Sequence, residues 1–146
     1  MLTASALVGL AREALHLGVE HTTSRHQFGV PIGSFQAVAH RLADVATMVD
    51  GAQLLAQEAA WAADAAKDDR STVASMALLF AAEVARRAAA DSLHFHGGYG
   101  FMLEYDIQLY FRRAKAWSLI VDDTGKEYQR PADRLLGPPE PDGTTR

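Results

Sequence analysis

The feature that most constrains the fold of this chain is a long run of apolar residues spaced alternately three and four positions apart. The run extends over about seven helical turns and comprises Phe35, Val38, Leu42, Val45, Val49, Ala52, Ala56 and Ala59. This period places apolar residues on one face of an α-helix, whereas a half-buried β-strand would need strict alternation. A long helix whose apolar face lies in a core is therefore predicted over residues 35–59.

Three further segments have helical spacing, and short glycine-containing or polar stretches separate the four. The other predicted helices cover residues 4–24, 71–96 and 107–121. Glycines follow the first and third of these segments, and Gly125 is expected to end the fourth as a left-handed cap. No segment of useful length alternates as a strand does. Helices joined by such short connections predict an antiparallel arrangement.

The fold class predicted from this pattern is all-α, an antiparallel up-down four-helix bundle. The bundle is expected to cover residues 1–136 as one domain. Residues 137–146 contain three prolines and no helical pattern, so a disordered tail is expected there.

The composition limits the classes of function open to the chain. The formal net charge is −4, and nucleic-acid binding needs a basic face that such a chain does not favour. Cysteine is absent, which excludes disulfides and thiolate metal ligands. No leader-like segment opens the sequence, and no apolar run approaches the ~20 residues that span a bilayer. A soluble, cytoplasmic protein without nucleic-acid or membrane partners is expected.

One loop carries residue types that bind anions. Arg25 ends the first predicted helix and is followed by Gln27, Phe28 and Gly29. An arginine can hold a phosphate through two parallel hydrogen bonds, and glycine frees the neighbouring backbone. Taken alone, such a segment is more often a capped helix end with a buried anchor residue.

A second loop contains Gly97, Gly98 and Gly100 after the third helix. Without side chains, glycines let backbone amides approach an anion closely. Taken alone, a glycine cluster of this kind is more often a turn between helices.

Two acidic residues, Asp122 and Asp123, follow the fourth predicted helix. A carboxylate there could act as a general base if burial or the like charge raised its pKa. A solvated turn is the structural alternative.

Glu13 and His16 have the Glu-x-x-His spacing of di-iron bundles, and Asp91 and His94 have a similar spacing. A second Glu-x-x-His is missing, and His16 lies away from the apolar face of its helix. No metal site is therefore predicted.

Three segments together resemble a known family. Residues 25–36 read RHQFGVPIGSFQ, residues 94–105 read HFHGGYGFMLEY, and residues 109–117 read LYFRRAKAW. Their order, separation and helical context resemble the C-terminal helical domain of acyl-CoA dehydrogenases over residues 4–130. The family reaction is the α,β-dehydrogenation of an acyl-CoA thioester with FAD, so the resemblance implies an acyl-CoA substrate and an FAD cofactor.

The resemblance also implies that the chain does not act alone. In the family, a helical N-terminal domain and a β-domain precede the bundle, and this sequence resembles only the bundle. It is therefore expected to be a fragment, part of a longer protein, or a natural half-length relative. Its expected partners are the missing domains or a partner subunit in a homo- or hetero-oligomer.

The family's flavin lies at a subunit interface and contacts two segments of the bundle. Carried over to this sequence, the cofactor-binding residues are Arg25, Gln27, Phe28, Gln36, His94, Gly97 and Gly98. His94 departs from the family pattern, which commonly has glutamine there; a histidine retains one hydrogen-bond donor.

The catalytic base is left open among three readings. With one insertion, Asp122 takes the place of the glutamate that many members carry in a Glu-Gly-Thr turn. In other members the glutamate lies on the first helix of the bundle, at a position upstream of Met1. In the third reading the chain is a non-catalytic interaction subunit of a hetero-oligomeric dehydrogenase. The leading hypothesis is an enzyme domain that is inactive alone, and the rival is an interaction module without chemistry of its own.

Overall fold

The structure is a computed structural model that describes residues 1–119 and 124–137. Within those residues the order of elements is α1 (Leu2–Ser24), β1 (His26–Gln27), β2 (Val30–Pro31), α2 (Gln36–Asp64), α3 (Arg70–His96), α4 (Ile107–Leu119) and α5 (Thr124–Leu136). Short 3₁₀ helices occupy Ile32–Ser34 and Gly97–Phe101. The predicted all-α bundle is confirmed, and the two-residue strands form a small hairpin in the first loop.

α3 is the central helix of the bundle, because it packs against α1, α2, α4 and α5. The buried side chains of the core are mostly small, and alanine is by far the commonest of them. Leu7, Val45, Val84 and Ile107 are the largest apolar side chains that are almost fully enclosed. Small side chains let helix backbones approach closely, so this core consists of tightly spaced helices with few bulky residues between them.

The apolar face predicted over residues 35–59 is confirmed in its C-terminal two thirds. Val45, Val49, Ala52, Ala56 and Ala59 are buried against the other helices. The first residues of the run are less enclosed, because Phe35 precedes α2 and packs on the hairpin. The buried part is the stretch that faces α1 and α3.

The four predicted helices are confirmed and a fifth helix follows them, so the predicted Gly125 cap was wrong. α4 covers Ile107–Leu119, and Gly125 lies inside a further helix, α5, which packs against α3. Glycine and an internal proline, Pro131, lower the intrinsic helix propensity of this segment. Packing against another helix can outweigh such propensities, and the sequence pattern does not reveal that contact.

The predicted disordered tail lies outside the described residues, apart from Gly137. None of the helices in the described ranges is long and apolar enough to cross a membrane.

Candidate functional site

A groove of about 840 Å³ lies where the end of α1, the hairpin and the end of α3 meet. Its lining comprises His21, Ser24, Arg25, Gln27, Ile32, Phe95, His96, Gly97, Gly98, Tyr99 and Tyr105. Four residues that the sequence singled out, in two segments about seventy positions apart, are thereby brought to one surface.

Arg25 is held at the base of the hairpin by its own backbone. Its N–H donates to the carbonyl of His21 (2.9 Å), which ends α1, and its carbonyl accepts from the N–H of Ile32 (2.8 Å). Between these bonds, Gln27 pairs with Val30 across the two short strands. The arginine side chain therefore projects from a backbone with a defined position.

The turn of the hairpin places an aromatic ring in solvent. Phe28 and Gly29 occupy its two central positions with φ of 55° and 83°. Two-residue turns of this type favour asparagine and glycine, and a bulky residue at positive φ is strained. Phe28 is nevertheless 93% exposed, and its ring meets that of Phe35 edge to face with centroids 6.2 Å apart. Local folding does not explain a phenylalanine here.

The three glycines after α3 differ in what the fold requires of them. Gly97 has a φ of 63° and ends the helix. A Cβ on Gly100 would lie 2.9 Å from the carbonyl oxygen of Leu93, so packing excludes a side chain there. Gly98 has neither constraint, since its φ is not positive and a Cβ would meet nothing within 4 Å. The missing side chain at Gly98 leaves backbone open to the groove, as close approach of an anionic ligand requires.

The remaining predicted residues lie around this groove or outside the described chain. His94 is exposed and lines a neighbouring depression of about 410 Å³, which shares Gly97 and Gly98 with the groove. Gln36 is exposed at the start of α2 and lines neither hollow. Asp122, the predicted base, lies outside the described residues.

A stacked histidine pair is the main feature that sequence reasoning missed. The rings of His21 and His96 have centroids 4.0 Å apart and an interplanar angle of 22°. Nδ1 of His96 donates to the carbonyl of Ser92 (2.8 Å), and Tyr105 approaches the ring of His96 edge-on. His21 precedes Arg25 by one helical turn and therefore shares its face of α1, a spacing that could have identified it.

Burial lowers the pKa of His21, and the nearby charges of His96 and Arg25 lower it further. A hydrogen bond with the backbone of Phe95 acts in the opposite direction. The groove therefore favours the neutral form of His21 near neutral pH.

On α3, before the glycine segment, the buried carboxylate of Asp91 joins α3 to α2. Nη2 of Arg41 in α2 lies 2.9 Å from its Oδ1, and Nε of Arg87 in α3 donates to its Oδ2 at 2.6 Å. This hydrogen bond and the charge of Asp91 raise the pKa of Arg87. Asp91 is thus engaged by arginines, and in the described residues no group of three or more histidines and carboxylates converges.

These observations define a class of domain: a helical bundle with a groove at one end that is lined by an arginine, open glycine backbone and aromatic rings. The sequence profile described as "Acyl-CoA dehydrogenase, C-terminal domain" matches residues 1–120. The chain therefore belongs to the acyl-CoA dehydrogenase family. Members of this family are generally FAD-dependent.

Known relatives are longer than this chain. It is 38% identical to acyl-CoA dehydrogenase IpdE2 of Mycobacterium tuberculosis over 130 residues, which is 89% of the chain but 39% of that protein. Among solved structures, the ChsE4-ChsE5 complex from Mycobacterium tuberculosis superposes with a TM-score of 0.85 at 32% identity, covering 94% of this chain and 37% of the matched chain. Butyryl-CoA dehydrogenase from Megasphaera elsdenii superposes with a TM-score of 0.86 at 29% identity, covering 92% and 35%. The chain spans less than two fifths of the length of each.

Proposed function

We propose that the chain acts within a flavin-dependent acyl-CoA dehydrogenase, where its groove contacts the adenosine diphosphate part of FAD. The observation that carries the proposal is the convergence of Arg25 with Gly97 and Gly98 on one groove. A pyrophosphate needs a fixed positive charge and hydrogen-bond donors without intervening side chains, and these residues supply both.

Each residue of the set has a role suited to its chemistry. Arg25 and the backbone at Gly97 and Gly98 would hold the pyrophosphate, while the exposed ring of Phe28 offers an apolar face to the adenosine. Gln27, Gln36 and His94 would add hydrogen bonds around them. When bound, FAD supplies the acceptor for the hydride that leaves the β-carbon of the acyl chain.

The proton of the α-carbon needs a base, for which Asp122 is the candidate within this chain. Aspartate is one methylene shorter than the glutamate common in the family, so its reach decides whether it can act. A base in upstream sequence is the alternative.

Exposed apolar side chains support the proposal that another protein surface packs against this domain. Phe101 is 65% exposed, Leu103 is 80% exposed, and Tyr99 and Met102 beside them are also exposed. Exposed apolar side chains at neighbouring positions of one loop are typical of an interface. The domain is therefore proposed to pack on the N-terminal and β-domains or on a partner subunit, as a homo- or hetero-oligomer.

A second candidate function is that of a non-catalytic subunit, which completes the flavin site of a partner and performs no proton abstraction itself. The likeness to a chain of the ChsE4-ChsE5 complex favours it, since that structure is itself an assembly of two named components. Both functions place FAD at the same groove.

The test is a titration of the purified chain with FAD, in which binding is monitored by the NMR chemical shifts of backbone amides. Weak binding is expected, with shifts at Arg25, Gly97 and Gly98, because most of the flavin surface is supplied by other domains. Arg25→Lys keeps the charge and loses the planar fork, so affinity should fall roughly ten- to hundredfold, equivalent to about 1.5–3 kcal/mol.

Arg113→Lys on exposed α4 is the matched control and should bind FAD as the unmodified chain does. Groove amides that stay unshifted at about 1 mM FAD, or equal affinity for Arg25→Lys at equal stability, would contradict the proposal.

A further inference from the structure

We propose that His21 and His96 form a proton-dependent anion contact in the groove. The stacked pair takes up one proton and not two, and this proton strengthens the binding of a pyrophosphate diester beside Arg25. The inference rests on the proposed function and adds a regulatory property to the same groove.

The geometry of the pair limits its charge. The two rings are nearly parallel with centroids 4.0 Å apart, and both line the groove that Arg25 also lines. Two imidazolium ions stacked at this separation repel each other strongly in a partly desolvated site. Such groups titrate as a pair, so the first proton is bound far more readily than the second.

The hydrogen bond of His96 decides which of its nitrogens can change role. Because the carbonyl of Ser92 can only accept, Nδ1 of His96 carries a hydrogen in the 2.8 Å contact between them. Nε2 is then a lone-pair acceptor in the neutral ring and becomes a donor when the ring is protonated. Uptake of a proton thus turns Nε2 from a hydrogen-bond acceptor into a donor. An acceptor disfavours a bound anion, whereas a donor favours it.

The charged groups around the pair include no carboxylate among the described residues that line the groove. Arg25 directly follows α1, Tyr99 and Tyr105 follow α3, and the backbone of Phe95 is the polar group contributed by α3 beside His96. None of the described residues that line the groove is acidic. His16 and Glu20, on the same helix as His21, lie 3.3 Å apart and engage each other.

A bound anion would supply the missing partner, so proton and anion favour each other. At neutral pH His21 is neutral, since burial, His96 and Arg25 all lower its pKa. As the pH falls below about 6.5, one proton enters and affinity for a dianion rises. Because only one proton is linked to binding, the affinity can rise by at most tenfold for each unit by which the pH falls.

The test uses ADP-ribose, an adenosine pyrophosphate diester whose own charge is constant between about pH 5 and pH 8. Its dissociation constant for the purified chain would be measured at about pH 8 and about pH 5.5. Affinity should be three- to tenfold higher at the lower pH, with no more than one proton taken up per complex. The NMR titration midpoints of His21 and His96 should both rise when ADP-ribose is bound.

The double variant His21→Phe, His96→Phe retains two stacked rings without a titrating group. Its affinity for ADP-ribose should be the same at about pH 8 and about pH 5.5, whatever the absolute affinity, and thermal melts would confirm that it is folded. His26→Gln removes an exposed histidine next to Arg25 that is outside the stack, and should keep the increase.

The outcomes separate this inference from the function on which it rests. Binding that depends on Arg25 but not on pH, or an increase that survives in the double variant, overturns the proton-dependent contact and leaves the flavin groove intact. Absence of ADP-ribose binding at both pH values, with unchanged histidine midpoints, overturns both.

Discussion

Gly18 of α1 and Ser92 of α3 are in direct contact: a Cβ built on Gly18 would lie 3.0 Å from Cβ and 3.4 Å from Cα of Ser92. The two helices therefore touch where a side chain on α1 would separate them. Gly18 precedes His21 on α1, and the carbonyl of Ser92 accepts the bond from His96 on α3, so this contact joins the helices that carry the two sides of the groove.

Replacement of Gly18 by valine is expected to destabilise the fold by about 1–3 kcal/mol, because the added atoms overpack a tight helix contact. Gly9 in the same helix has nothing within 4 Å of a built Cβ. Gly9→Ala should therefore stabilise by about 0.5–1 kcal/mol through helix propensity alone. Urea unfolding measures both changes. A Gly18→Val chain as stable as the unmodified one would mean that the helices can separate without loss.

Asp91→Asn is expected to lower the free energy of unfolding by about 1.5–3 kcal/mol, since charge-assisted bonds to Arg41 and Arg87 are lost. Both arginines are about half exposed and can turn to water, which keeps the loss below that of a fully buried pair. Arg41→Met and Arg87→Met should each cost less.

Arg86→Met is the control for this series, because the structure shows no ion pair for Arg86 among the described residues. It should change the stability by less than about 0.5 kcal/mol. If Asp91→Asn changes the stability as little as Arg86→Met does, the link between α2 and α3 contributes little to stability.

Phe28→Asn is expected to stabilise the chain by about 0.5–1 kcal/mol and to weaken FAD binding. Asparagine adopts the positive φ of 55° more easily than phenylalanine, while the exposed ring proposed to meet the adenosine is lost. Gly29→Ala, at a φ of 83°, should instead destabilise by about 1–2 kcal/mol. Thermal melts and FAD titrations would test both; a Phe28→Asn chain that loses stability would show that the contact with Phe35 outweighs the strain.

The stability of the chain should decrease as the pH falls below about 6.5, in part through His21. The folded state lowers the pKa of His21, mainly by burial, so the unfolded chain binds this proton more readily. Above that pH neither state is protonated and the contribution vanishes; below it, proton binding favours unfolding. His21→Phe should lose less stability between about pH 7.5 and pH 5.5 than the unmodified chain does.

His16→Gln serves as the comparison, since His16 is an exposed residue next to Glu20. It should follow the unmodified chain through the same unfolding series. Equal losses for His21→Phe and the unmodified chain would assign the pH dependence to other groups.

The spacing of apolar residues was sufficient to predict α1 to α4, because one-sided apolar faces at helical period are local properties of the sequence. The loops at Arg25 and at Gly97 were predicted for the same reason: glycine and a helix end are visible in the sequence itself. The convergence of these two loops was implied by a family resemblance and not by spacing, and the roles of individual residues in it stay predictions.

Other features depend on contacts that no local pattern encodes. α5 forms although it contains Gly125 and Pro131, because it can pack on α3. Asp91 meets Arg41 of another helix, and His21 meets His96 across the interface of α1 and α3. The sequence by itself determined the first four helices and the positions of the two glycine-containing turns, since both follow from neighbouring residues. Only the tertiary structure decided which charged and aromatic side chains face one another, because that depends on the depth and rotation at which the helices pack.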